Sequence, residues 1–210
     1  KLSVKDFKPG FSFGFNAERD QGELWFDPQK GIEHLHYYLS YSDDHSLLSN
    51  LVIGTYRASL GHGLVIHTGF NNYKSQFLNG GLSFSKQKYK AQSSNEESSF
   101  LRGLGTTFSL KYLKVSVFYS NNQLDATAYS DSLGDYFKAV SYSGMHRTAA
   151  EIDKKDRVTA IDFGGHLGYE RKRFNLSWNH LFTKLSMPLR RKENYYNLYY
   201  LTGDEFYTQS

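Results

Sequence analysis

The sequence predicts an all-β fold of antiparallel strands. Apolar and polar residues alternate with period two in segment after segment, and the connections between those segments switch between short and long. The chain is also rich in rings without being oily: 17 Tyr and 16 Phe stand in 210 residues, yet mean hydropathy is -0.58. No run of about 20 apolar residues is present, as a membrane helix would need. A strand that presents its apolar side only at every second residue keeps a weak average hydropathy.

The elements follow in order. In residues 11–18, Phe11, Phe13, Phe15 and Ala17 oppose Ser12, Gly14, Asn16 and Glu18, and two such faces need two environments. Leu35, Tyr37, Leu39 and Tyr41 oppose His36 and Ser40, with Tyr38 interrupting the polar side. Residues 51–60 and 100–110 read as strands of less marked phase. Leu113, Val115, Val117 and Tyr119 oppose Lys114, Ser116 and Ser120; Ile161, Phe163, Leu167 and Tyr169 oppose Asp162, Gly164, His166 and Glu170. Phe174, Leu176, Trp178 and Phe182 oppose Asn175, Ser177 and Asn179, and the tyrosines of 195–201 suggest a last strand. About eight strands result. Connections 43–49, 110–112 and 171–173 are short, 19–32, 64–99 and 121–156 are long, and 184–194 is intermediate.

Tight turns at one end and long loops at the other fit an antiparallel meander closing as a transmembrane β-barrel. Rings near strand ends, including Phe11, Tyr41, Tyr119, Tyr169 and Phe182, suit the two membrane interfaces. Residues 1–210 are therefore read as one outer-membrane barrel region, and as a partial barrel, because the chain starts mid-pattern and ends without a terminal aromatic residue. Leu113, Val115, Val117, Phe174, Leu176 and Trp178 are expected against lipid, with Leu176 at mid-bilayer, and Lys114, Ser116, Asn175 and Ser177 toward the lumen. The connections 64–99 and 121–156 are expected on the outer side, at least one folding into or across the barrel mouth, since loops of that length usually carry structure or function.

Zero Cys excludes disulfides and thiolate chemistry. The net charge of +4 and pI near 9.0 come from scattered Lys and Arg, so no nucleic-acid partner is expected. Gly61-His62-Gly63 reads as a bend. His36, His67 and His166 lack metal-ligand spacing, and neither a metal nor a cofactor is expected. Asp125, His146, Glu151 and the 153–156 charge run share one connection with several serines, the ingredients of a hydrolase without a Gly-x-Ser-x-Gly elbow. Arg102 and Arg147, if turned to a lumen opposite Glu18, Asp125 or Asp162, would give a cross-pore charge pattern. The candidate residues are thus Glu18, Arg102, Asp125, His146, Arg147, Asp162 and His166.

Several segments occur in a familiar order: Gly14-Phe15-Asn16-Ala17-Glu18 with Gly22-Glu23, Leu51-Val52-Ile53-Gly54-Thr55-Tyr56 with Leu60-Gly61-His62-Gly63-Leu64, Asn95-Glu96 with Phe100-Leu101-Arg102-Gly103, Phe118-Tyr119-Ser120 with Leu124-Asp125-Ala126, and Gly144-Met145-His146-Arg147-Thr148. Over residues 10–205 this order resembles a family of outer-membrane barrel proteins named for a helix-hairpin-helix domain. The helix-hairpin-helix segments themselves match nothing in these residues, and Thr55 and His62 stand where the family pattern has an acidic residue and Gln. The resemblance implies a barrel in the bacterial envelope and supplies neither catalytic residues nor a substrate. The function expected is a non-enzymatic outer-membrane barrel: a pore, a transport component or a subunit of an envelope complex, with lipid and other envelope proteins as partners. Two alternatives stay open, a barrel-borne hydrolase using loop Ser, His and acidic residues, and a secreted β-sandwich that acts as an adhesin or binds glycans.

Overall fold

The computed structural model describes residues 2–18, 34–60, 65–68, 88–92, 100–141, 146, 148–171, 174–191, 195 and 199–210, with side chains except at 2–6, 18, 34 and 88. Among these residues twelve strands form one sheet: β1 (Leu2–Lys8), β2 (Phe11–Glu18), β3 (His34–Ser42), β4 (Leu48–Leu60), β5 (Ile66–His67), β6 (Lys88–Ala91), β7 (Leu101–Ser109), β8 (Leu113–Asp131), β9 (Gly134–Ser141), β10 (Val158–Arg171), β11 (Phe174–Leu189) and β12 (Gly203–Gln209). One helical turn, α1 (Ala149–Ile152), interrupts them. Nine strands follow the order β1-β2-β3-β4-β7-β8-β10-β11-β12, each antiparallel to the next. β5 and β6 attach to β4, and β9 attaches to β8 and β11.

The sheet is barrel-like. Asn16, His36, Asn50, Thr107, Ser116, Ser120, His166 and Asn179 are all buried on it, although among the described residues no second layer of sheet or helix covers them. A single sheet buries one whole face only by curling upon itself, which puts these residues on the concave side.

The all-β expectation holds, and the strand count rises from about eight to twelve. β1 and β12 displace the expected ends. In β1 a register shift between Lys5 and Lys8 breaks the alternation that would have revealed it, and Gly10, at φ +79, makes the tight turn into β2. The last strand is Gly203–Gln209 rather than 195–201: Tyr195 and Tyr199 are fully exposed, while Tyr207 pairs with Phe182 and Glu205 with Lys184. The connection 121–156 is also corrected, because β8 runs on to Asp131 and turns into β9. The strand ends joined through 9–10, 43–47, 110–112 and 172–173 all lie at one end of the sheet, and those joined through the longer 19–33, 61–100, 132–157 and 190–202 lie at the other. The bend at Gly61-His62-Gly63 and most of 64–99 lie outside the described residues.

The pairing register lines up side chains across the sheet. Phe13, Leu39, Ile53, Leu104, Tyr119, Phe163, Phe182 and Tyr207 are successive partners on eight strands, β2 to β12, and all but half-buried Phe182 are exposed. A second row, Phe108, Val115, Leu167 and Trp178, runs beside it toward the short turns. The opposite face carries Asn50, Thr107, Ser116, His166 and Asn179 as successive partners, continued to Ser210 by backbone hydrogen bonds with Asn179 at 2.8 and 3.1 Å. The polar row is inside and the apolar rows are outside.

Candidate functional site

Side-chain hydrogen bonds link neighbouring strands at several points of the inner polar row. Nδ1 of His166 meets Oδ1 of Asn179 at 2.9 Å, and Nδ2 of Asn179 donates to Oγ of Ser210 at 3.1 Å. With the Asn179 oxygen facing it, Nδ1 of His166 is the donor of this bond. The Thr107 and Ser116 hydroxyls pair at 3.0 Å, and Oγ of Ser109 donates to Oγ of Ser49 at 2.8 Å. These partners replace the water that each group gives up on burial, so the lining is held by bonds between strands that pleating alone would leave free to slip.

Toward the long-loop end the interior changes to rings. Tyr56, Tyr89 and Phe118 are buried together, with ring centroids 5.9 Å apart for Tyr56 and Tyr89 and 6.0 Å for Tyr89 and Phe118. Glycines make room for them: a Cβ at Gly105 would meet the Tyr89 ring at 2.8 Å, and one at Gly164 would come within 3.0 Å of the Phe118 ring. The Tyr56 hydroxyl donates to the Tyr119 carbonyl at 2.9 Å, which satisfies the one polar atom that this ring carries inward. Tyr89 comes from β6, so the described part of the 64–99 connection sends a ring into the barrel.

The other long connection builds a seam. Along β8 the partner changes from β10, ending at Leu124 with Val158, to β9, beginning at Asp125 with Ser141. The described residues between them, 146 and 148–157, lie outside the sheet. Asp125 grips both ends of this excursion: Oδ2 pairs with Nε2 of His146 at 2.7 Å, and Oδ1 accepts the backbone N–H of Asp156 at 3.0 Å. A bond from the Ala126 N–H to the Lys154 carbonyl, 2.9 Å, adds to the grip. α1 begins with a reciprocal cap, in which Glu151 N–H donates to the Thr148 hydroxyl and Thr148 N–H to the Glu151 carboxylate. β9 also bridges to β11 at Phe137 and Leu189, and beneath it Ala126, Phe137, Val158, Ala160 and Leu185 form a second apolar core.

No protein-family model, curated protein or solved structure matches the chain. The site therefore rests on its own geometry.

Of the residues singled out by sequence, Asp125 and His146 come together at the seam. Asp162 and His166 share the inner face of β10 but stand four residues apart, about 13 Å along a strand. Asp162 accepts from the Thr183 hydroxyl at 2.7 Å. The guanidinium of Arg102 donates to the Leu35 carbonyl at 3.3 Å and lies over Phe100, whose ring meets His36 edge-on. It braces β7 against β3. Glu18 ends β2 opposite His34, its side chain outside the described residues, as is all of Arg147. Tyr56, Tyr89 and Asn179 were not singled out; nor was Phe118, although its place between Ser116 and Ser120 already put it on the inner face.

Proposed function

We propose that this chain is a transmembrane antiparallel β-barrel, a meander in the outer membrane, serving without catalysis as a transport component or as a subunit of an envelope complex. One observation carries the reading: the faces are inverted relative to a soluble protein. Half-exposed, each large apolar side chain of the outer rows leaves roughly 80–100 Å² open. Together with Phe15, Tyr37, Phe174 and Leu176 they present on the order of 1,000 Å², well above the largest apolar patch of an ordinary soluble monomer. Hydrocarbon is the solvent that favours such a band. The nine residues from Phe174 to Phe182 cover about 27 Å along the strand, and tilt reduces this to roughly the 25 Å or less that an outer-membrane apolar band requires. The buried rings of Tyr56, Tyr89 and Phe118 favour a constricted lumen over an open pore.

Insertion is tested with the Trp25→Phe chain, which leaves Trp178 as its one indole, refolded into vesicles containing brominated phospholipid. Strong quenching of Trp178 is expected. A chain that stays monomeric in detergent-free buffer with unquenched Trp178 overturns the membrane reading.

A further inference from the structure

We infer that the short-turn end, on the flank made by the β7–β8 turn, β10 and β11, binds the headgroup of an anionic phospholipid; this rests on the membrane reading. Tyr112, Tyr169 and Phe174 form a ladder of rings there, with centroids 6.5 and 6.4 Å apart. Two cations face the first ring, Lys111 with its ammonium 5.2 Å and Arg171 with its guanidinium 5.9 Å from the Tyr112 centroid. A backbone bond from the Glu170 N–H to the Tyr112 carbonyl, 2.9 Å, fixes the turn against β10, so the two charges are held on one spot.

Position together with charge balance separates this spot from the other end of the barrel, where Lys138 and Arg191 also lie over tyrosine rings, at 4.1 and 4.8 Å, but beyond the strand positions that carry the outer apolar rows. At the long-loop end Arg157 pairs with Asp153, Lys184 with Glu205 at 2.8 Å and Arg190 with Asp131 at 3.1 Å. At the short-turn end neither Lys111 nor Arg171 has a carboxylate partner among the described residues. Glu170 points to the other strand face by alternation, and Asp43 is engaged with the Tyr41 hydroxyl and the His45 N–H in the distant β3–β4 turn. Exposed Leu110, Phe174 and Leu176 lie next to the cations on the outer surface. A ligand that meets both needs carries phosphate at one end and acyl chains at the other. Free phosphate would meet only the first.

Each cation near an anionic surface is worth about 1 kcal/mol, or about five-fold in occupancy. The test uses the full chain in nanodiscs of mixed phosphatidylcholine and phosphatidylglycerol, with the lipid retained on the protein analysed after extraction. Several-fold enrichment of phosphatidylglycerol is expected for the wild type, with loss of most of it in Lys111→Gln/Arg171→Gln and retention in Lys184→Gln/Arg190→Gln. Equal enrichment in the wild type and the Lys111/Arg171 variant, no enrichment at all, or its abolition by inorganic phosphate at matched ionic strength overturns the inference. Trp178 quenching in the same nanodiscs keeps the two readings apart: a chain that inserts without headgroup preference sinks this inference alone, whereas one that fails to insert sinks the membrane reading.

Discussion

The same three strands live in two environments, and their alternation changes phase between them. Near the short turns β8 puts Val115, Val117 and Tyr119 outward; farther along, the apolar residues are Leu124 and Ala126, on the other face and packed inward. β10 does the same, with Phe163 and Leu167 outward but Val158 and Ala160 buried, and so does β11, with Phe174, Leu176 and Trp178 outward but Leu185 buried beside Met187 and Leu189. A strand keeps its pleat, so a phase change records a change of solvent on both sides at once. In the lower region the outside favours apolar groups and the inside is a polar, hydrogen-bonded lining. In the upper region the outside is polar and the inside is a core covered by β9.

The largest test of this contrast is a charge in the lower outer row. Leu167 is exposed and stands between Val115 and Trp178, four residues from the strand end at Arg171. Leu167→Arg is expected to destabilise the chain in lipid by about 2 to 4 kcal/mol, measured by reversible denaturant unfolding from vesicles. On the membrane reading, Leu176→Arg is expected to cost about 1 kcal/mol or less, because Leu176 lies two residues from the start of β11, near the edge of the proposed apolar band. Equal costs would remove the depth dependence on which the lower region is defined.

The phase change also explains which parts of the fold were legible in sequence. Where one phase persists, as in Phe11 to Ala17 or Phe174 to Phe182, alternation located the strand and assigned its faces. Where the phase reverses, near residues 121–126, the pattern cancels, and a continuous strand was mistaken for the start of a loop. β12 stayed hidden because Asp204 and Glu205 dilute its apolar side, although Lys184 and Glu205 pair across the strands. The Asp125–His146 contact could not be foreseen, since it depends on the seam at which β9 succeeds β10. The ring cluster was half visible: Phe118 follows from alternation alone, whereas Tyr89 enters on a four-residue strand within a polar stretch.

The seam offers a test confined to the upper region. Asp125→Asn keeps the size of the side chain but weakens two hydrogen bonds to a carboxylate, each worth about 1.5 to 3 kcal/mol when the acceptor is charged. Protease cleavage within 142–157 and amide exchange at Asp156 are expected to rise by about ten-fold or more, since 1.4 kcal/mol is a factor of ten in a local opening equilibrium. The unfolding midpoint of the lower region should stay within the experimental error. If both regions lose stability together, they form one cooperative unit and the environments are not separable.

The smallest effect is expected where charge is most conspicuous, at Arg190. Its guanidinium pairs with Asp131 at 3.1 Å and lies 5.3 Å from the Tyr136 centroid, while its backbone N–H donates to the Phe137 carbonyl at 2.9 Å. Both members of the pair are more than one-third exposed or close to it, so water already solvates them well and holding two long side chains in place cancels much of the attraction. What fastens β9 to β11 is then the apolar contact of Phe137 with Leu185 and Leu189, together with the backbone bond. Arg190→Gln, which keeps that bond, is expected to raise local opening of β9 by less than about five-fold, the equivalent of about 0.2 to 1 kcal/mol, as read by amide exchange at Phe137 and Lys138. Near 1 M salt, where the Debye length falls to about 3 Å, wild type and variant should exchange alike. A salt-resistant difference above ten-fold would mean that the upper region is fastened by charge, and the division between a wall with apolar rows outside and an apolar-cored rim would have to be redrawn.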